Sequence, residues 1–469
     1  MALIVIAIVA LVTLFMLGYR FDTHNGEIQQ YAFIYYDSIP SGATVAVDGN
    51  VISSKTPNKS SLPAGKHEVQ MWRDGYQVWK KKADLKAGTN TWFNYTLLVP
   101  KDLPVEVVSN YDSIYRTLAS SNGNEILVQK SASMPSFELV DLSADTIKST
   151  SISIPNNLYS QANVAGTIHE FTIEKWDHGG RYVLVKHNFN GSSEWLVLDT
   201  QNVSTTKNIT KLFDIPISSI VFADTSGNKF YVLNLADIRK LDLSAGTISK
   251  TLVSNVISFD IYNESKVITY VGSGNANKNE RVVGIYREGD DKSSIVRTIS
   301  GSQDLPLHIN TTVYFNENYI AISLGNKIDV LSGSYPNTTT DNNNAMKIVA
   351  SFEAMENINL LSFSPSGEYV FVQSGQYFAS YDLEYKKTAS SNIEGSGDTL
   401  PLKWLDDNYI WSDRGGRLSI REFDGDNIHT INNVIYGQDA TLTNNGRYFY
   451  SIGKSQTGYQ LQRVRMILP

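Results

Sequence analysis

The chain opens on residues 1–19, a run without a charged side chain in which, up to residue 17, Thr13 alone is clearly polar. Arg20 and Asp22 end it. As a helix the run would be roughly 28 Å long, about the thickness of a bilayer's hydrocarbon core. Three readings compete: an uncleaved membrane anchor, a secretory signal peptide, or a buried core helix. The run is longer than the apolar core of a signal peptide, and no small-x-small cleavage site follows it. A uniformly apolar core helix fits poorly in a chain otherwise rich in turns. The expectation is therefore a transmembrane anchor over 1–19 and a linker over 20–30. Topology is weakly marked. The nearby basic residue, Arg20, follows the run, which on the positive-inside rule is a vote against export.

Beyond residue 30 the pattern changes to period two. Residues 31–36 are aromatic and β-branched, 39–42 read as a turn, and 43–47 alternate apolar with polar up to Asp48-Gly49, a tight-turn dipeptide. Pro63-Ala64-Gly65 is a further turn, 67–72 alternate again, and Asp74-Gly75 marks the next reversal before β-type runs at 76–83 and 91–98. No helical periodicity appears. The expected domain is a small antiparallel β-sandwich over 31–100.

Several of these residues recur together in one known family. Ser38-Ile39-Pro40-Ser41-Gly42-Ala43, Val45, Val47-Asp48-Gly49, Thr56-Pro57, Leu62-Pro63-Ala64-Gly65-Lys66-His67 and Asp74-Gly75-Tyr76 with Trp79 resemble the PEGA domain, with Ser41 where the namesake tetrapeptide has Glu. The resemblance covers about 65 residues. It implies a β-sandwich of bacterial surface and envelope proteins that acts as a spacer or holds proteins at the cell surface, and it implies no catalysis. Trp72, Trp79 and Trp92 read either as core aromatics or as a sugar-stacking platform. Lys80-Lys81-Lys82 reads either as a solvated strand edge or as a contact for anionic polymer or headgroups.

From about residue 110 a second pattern repeats. A Gly- or Asn-bearing turn leads into a β run, then a loop, then a second β run that often ends near an Asp. The turns are at Asn122-Gly123, Gly179-Gly180, Gly227-Asn228, Asn263-Glu264, Asn316-Glu317, Ser366-Gly367, Asp406-Asp407-Asn408 and Asn445-Gly446. Units of several short strands, roughly 37 to 57 residues apart, are the mark of a β-propeller. Phe363-Ser364-Pro365-Ser366-Gly367-Glu368-Tyr369 with Tyr381-Asp382-Leu383 resembles the blade signature of WD-repeat-like and TolB-like propellers. Residues 334–345, rich in Asn and Thr, read as a loop excursion. The last unit runs out of chain before its outer strand, and 103–108 is strand-like, so this early segment is expected to supply it.

Composition narrows the function. The absence of cysteine excludes disulfides, thiolate metal sites and cysteine catalysis. A formal net charge of −7 is not the basic balance of a nucleic-acid binder. A cysteine-free, amide- and aromatic-rich chain fits an exported β protein. The seven histidines, His24, His67, His169, His178, His187, His308 and His429, show no metal-binding i, i+4 pair. Gly272-Ser273-Gly274 lacks the rest of any phosphate-loop fingerprint. Asp424-Gly425-Asp426-Asn427 suggests calcium but lacks the spaced ligands and closing carboxylate, so a hairpin turn is the better reading.

The chain thus reads as all-β: a PEGA-type sandwich over 31–100, then a β-propeller over 101–469 with eight blades (seven as the alternative), preceded by one transmembrane helix. The expected function is a membrane-anchored envelope protein, its body extracytoplasmic, with a non-catalytic binding or scaffolding propeller. The membrane contact is through residues 1–19, and an envelope polymer or surface protein is the expected partner. The rival is an extracytoplasmic hydrolase-like enzyme with its site in the propeller channel. No catalytic, cofactor or metal residue is assigned.

Overall fold

The computed structural model describes residues 2–16, 18–22, 26–161, 166–262, 266–274, 279–301, 304–336, 346–395 and 401–469. Most of the expected loop 334–345, the turn at Asn263-Glu264 and His24 lie outside these residues. By their contacts the described residues form two units. The first comprises residues up to Val105 with Gly446–Tyr448 and Val464–Pro469, and the second comprises Glu106–Asn445 and Phe449–Arg463.

The opening apolar run is helical over Ala2–Met16. Its large side chains face solvent, with Ile4 65%, Leu11 66% and Met16 80% exposed. At 1.5 Å per residue the helix is about 22 Å long, shorter than the expected span. No helix among the described residues is long and apolar enough to cross a membrane. The helix stops early because the chain turns at Gly18 and enters a strand, Tyr19–Asp22. That strand pairs antiparallel with the start of Glu27–Ile39, so the described residues 20–22 and 27–30 of the expected linker lie in paired strands.

Two four-stranded sheets make up the sandwich. In one, Glu27–Ile39 pairs antiparallel with Tyr19–Asp22 and Asn58–Pro63, and parallel with Asn90–Leu97. The parallel pair departs from the antiparallel expectation. Parallel neighbours need a long crossover, and the strands of the other sheet supply it. That sheet runs Asn50–Val51, Thr44–Val47, Gly65–Trp72, Trp79–Leu85. Asp48 and Gly49, at φ +50° and +80°, form its tight hairpin, as the dipeptide predicts. Ile34, Val45, Val69, Met71 and Trp79 fill the space between the sheets.

Eight further four-stranded sheets follow, the first seven of them antiparallel meanders in chain order and the eighth completed by a strand from earlier in the chain. Four-stranded sheets repeated this way are the topology of a β-propeller. The first is Arg116–Ala119, Glu125–Gln129, Ser136–Asp141 and Lys148–Ser153. The eighth holds Thr441–Leu442, Tyr448–Lys454 and Tyr459–Arg465, and its outer strand is Val105–Tyr111. The early segment therefore does complete the last sheet, two residues later than expected.

Second strands such as Tyr369–Ser374 are buried along their whole length. Each sheet packs against a neighbour on both faces, so the sequence reads as a continuous apolar run rather than an alternating one. Shared clusters join consecutive sheets: Leu127 with Phe171, Trp195 with Phe230, Tyr231 with Tyr270, Ile285 with Ile320, Val330 with Val370, and Phe371 with Ile410. Between sheets seven and eight Asn432 Nδ2 donates to Ser451 Oγ at 2.9 Å. The eighth then meets the first: Asp439 Oδ2 accepts the Ala119 N–H at 3.0 Å, and the Asp439 N–H donates to Thr117 Oγ1 at 2.8 Å.

The recurring Asp has a local cause. Oδ1 of Asp242 accepts the N–H groups of Ser244 and Ala245, and Oδ1 of Asp382 those of Glu384 and Tyr385. A short acceptor at a strand end satisfies the turn's backbone donors.

Two variants test the closure. Deleting residues 105–111 should collapse the cooperative thermal transition of the large unit, because it bares an edge of the eighth sheet. At Gly123, φ is +69° and an added Cβ would lie 2.4 Å from the Leu442 carbonyl oxygen on the eighth sheet. Gly123→Ala should therefore cost about 2 kcal/mol or more in denaturant unfolding. Wild-type stability in both variants would mean the first and last sheets do not depend on each other.

Candidate functional site

First strands of neighbouring sheets are tied by polar side chains. Arg116 of sheet one reaches Glu174 of sheet two at 3.7 Å. Asn310 of sheet five donates to Asp260 Oδ2 of sheet four at 3.3 Å and accepts the Phe363 N–H of sheet six at 3.0 Å. Lys403 pairs with Asp439. Burial pushes the Asp260 carboxyl up, opposed by the charge of Lys175 on sheet two. These carboxylates have separate cationic neighbours: Glu174 with Arg116, Asp260 with Lys175, Asp439 with Lys403. The arrangement holds strands together by charge pairing.

A second polar cluster lies within sheet two. His187 is fully buried, with Nδ1 2.8 Å from Glu194 Oε1 and Nε2 2.9 Å from His169 Nδ1. The carboxylate can only accept, so His187 Nδ1–H donates to it. Its Nε2 lies against His169 Nδ1, so one of these two ring nitrogens donates to the other. Glu194 also accepts from the Ser160 N–H and hydroxyl, each at 2.7 Å. Burial pushes its carboxyl up, but the His187, Ser160 and Asn208 hydrogen bonds outweigh this and bring it down to about 2. Phe171 stacks on His187 with ring centroids 4.1 Å apart, and Phe189 lies at 4.8 Å.

Sequence reading missed this cluster because its members are spread over three strands. His187 faces Phe171 on one neighbour and Glu194 on the other. The available signal was a repeat: His169-Glu170-Phe171 and His187-Asn188-Phe189 place the same two residue types at alternate positions of adjacent strands.

Turns of sheets six and seven gather carboxylates. Burial is the largest cause raising Glu368 to about 7, with Asp382, Glu384 and Asp407 adding repulsion against a hydrogen bond from Tyr369. Burial likewise raises Asp382 to about 6 against the hydrogen bonds of its turn.

The residues singled out from sequence separate. Trp79 is a core residue at 1% exposure, Trp72 is half-buried, and Trp92 is 43% exposed. Lys80 and Lys82 are exposed on an edge strand opposite Gln70 and Glu68, whereas Lys81 is buried among the opposite face's residues. Asp424 to Asn427 form a turn in which Asp424 Oδ1 accepts the Asp426 N–H and Asn427 donates to Glu422. Among the described residues no group of three His, Asp or Glu side chains is placed to hold a metal. His67 lies between Asp48 and the Pro63 carbonyl, and His308 bonds the Ile358 carbonyl. Burial pulls the His429 ring below its usual range.

Residues 33–99 match the PEGA domain family. The sandwich is the matched region, and its turn residues are those quoted from sequence. No curated protein sequence matches the chain. Among solved structures, the chain is similar to the β-propeller domain of Myceliophteria thermophila Cps50 (Swd1), at 10% identity and TM-score 0.42 over 70% of this chain and 99% of that one. It is similar to an oligogalacturonate lyase in complex with manganese, at 9% and 0.43 over 76% and 98%. It is also similar to Kluyveromyces lactis Hsv2p, at 13% and 0.40 over 76% and 100%. Likenesses of this size say nothing of what the chain binds.

Two outcomes follow from these polar clusters. Glu368 and Asp382 have folded values above their ordinary 4.5 and 3.8. They hold more protons folded than unfolded in that window, so their contribution is complete at the acid end and is lost as pH rises towards 7. The thermal midpoint should fall between about pH 5 and 7.5, and fall less in Glu368→Gln. An unchanged slope would remove Glu368 as the cause. Separately, His187→Ala leaves the Glu194 carboxylate buried without its imidazole partner and should cost about 3 kcal/mol. The double variant with Glu194→Gln should recover part of that loss.

Proposed function

We propose that the chain is a membrane-attached envelope protein of bacterial type, whose eight-bladed propeller binds or scaffolds a partner without catalysis and is carried on a PEGA spacer. The observation that carries this reading is the order of parts: an apolar helix with its large side chains facing solvent, then a sandwich matching the PEGA domain, then the propeller. Burying that helix in lipid removes an apolar surface that water disfavours. Its 15 residues make it a short anchor, and the membrane contact is assigned to residues 1–19. The absence of cysteine supports an extracytoplasmic body, and the acidic balance argues against nucleic acid. The non-catalytic role is supported by first-strand carboxylates that have cationic neighbours of their own.

One observation favours the enzymatic alternative: the Glu194–His187–His169 chain orders two imidazoles as a general base would need. The cluster is built into one sheet and His187 is fully buried, away from any substrate in solvent, so binding is the preferred reading.

Fractionation tests the proposal. The full chain should sediment with membranes and resist a carbonate wash, whereas residues 22–469 should be soluble and monodisperse. Protease added to intact, wall-stripped cells should degrade the body. Protection until lysis would reverse the topology, and a shortened chain that still partitions with membranes would show that the anchor lies elsewhere.

A further inference from the structure

We infer that the outer face of the sandwich's first sheet is a glycan-binding platform centred on Trp92 and Tyr35. Within the strand Glu27–Ile39, residues 31–38 alternate between half-buried and buried. Ala32, Ile34 and Tyr36 point into the core at 0%, 0% and 1% exposure, which puts Tyr31, Phe33 and Tyr35 on the opposite face. That two-residue repeat spaces three aromatic side chains roughly 6.7 Å apart along the strand. Trp92, on the parallel neighbour, sits directly across from Tyr35, with ring centroids 3.9 Å apart and planes within 12°. Its indole is nevertheless 43% exposed.

A structural role alone accounts for part of this. Cross-strand aromatic pairs stiffen a sheet, and the Tyr35–Trp92 stack does so here. Stiffening does not require an indole left open to water, nor a row of aromatics extending from it. The sandwich's other outer face shows the ordinary solution. There Lys66 faces Asp84, Glu68 faces Lys82 and Gln70 faces Lys80, so polar groups meet one another across the strands.

The surroundings of the aromatic row select the ligand. Asn90 flanks Phe33 on one neighbour and Lys59 faces Tyr35 from the other, while the Ser61 hydroxyl across from Phe33 is buried. An amide and an ammonium beside flat rings match a sugar strand. Its C–H faces lie on aromatic rings, and its hydroxyls exchange hydrogen bonds with neutral polar groups. Lys59 faces Tyr35 and Asp37 follows Tyr35 by two residues on the same strand, so charges of both signs flank the stack and the complementary ligand is neutral. The occupant is thus a linear, neutral polysaccharide strand lying along the row. This rests on the envelope-binding reading above and gives the spacer a grip of its own.

The test uses the full chain in detergent micelles, titrated calorimetrically with cellohexaose and chitohexaose. At least one hexaose should bind saturably. Trp92→Ala should weaken it about tenfold or more, and Trp92→Phe should restore most of the loss. Trp92→Ala removes the stack with Tyr35 and should lower the thermal midpoint only slightly, with the transition still cooperative, whereas Trp92→Phe should stay near wild type, so a tenfold loss of binding by a folded variant is not lost folding. Failure of both sugars to bind up to about 5 mM, or equal affinity in Trp92→Ala, overturns the proposal. So does a Trp92→Ala variant altered only in self-association, which would make the face a contact between copies. None of these failures touches the membrane fractionation result, and a failed fractionation leaves Trp92-dependent sugar binding standing.

Discussion

An unpaired strand edge is the liability around which the large unit is organised. A four-stranded sheet between two neighbours has both faces satisfied by side-chain packing, but its edges still present backbone donors and acceptors. In the eighth sheet the outer place goes to Val105–Tyr111, from the beginning of the unit. Arg463 on the neighbouring strand reinforces the junction by pairing with Glu106 at 2.8 Å. Asp439 does the complementary work on the inner side, holding Ala119 and Thr117 of the first sheet while it pairs with Lys403 of the seventh. One carboxylate thus joins three consecutive sheets.

The same economy governs polar groups inside the unit. Burying a carboxylate is unfavourable by several kcal/mol unless donors surround it. Glu194 has such donors and stays ionised, whereas Glu368 has fewer and is driven towards protonation first by burial and then by its acidic neighbours. The difference comes from cross-strand register. His187 lies straight across from Glu194, while Glu368 sits in a turn beside Asp382 and Asp407.

Turn chemistry was the most legible part of the sequence. Asp48-Gly49, Asn122-Gly123 and Ser366-Gly367 announce reversals through short acceptors and positive φ, and these are local properties. The eight-unit count and the borrowed outer strand followed from those turns. Other features depend on distant partners and could not be read. The parallel pairing of Tyr35 with Trp92 needs the crossover between them to be known. Three tryptophans that look alike in sequence end at very different exposures, because inward and outward positions depend on strand phase. The His169–His187–Glu194 chain exists only once three strands are in register. The helix stops short of residue 19 because Tyr19 finds a partner in Gln30.

The borrowed strand also sets a schedule for folding. Glu106 and Arg463 meet although 357 positions separate them in the chain. Bringing such ends together carries an entropic penalty that grows with the logarithm of the intervening length. During synthesis, residues 105–111 emerge long before their partner strand. Middle sheets can form as they appear, each resting on the one before. The ring stays open, with a sticky edge at each end, until the final strand is delivered. For a protein of this design the most aggregation-prone interval falls just before release, and that interval is where a chaperone would be needed.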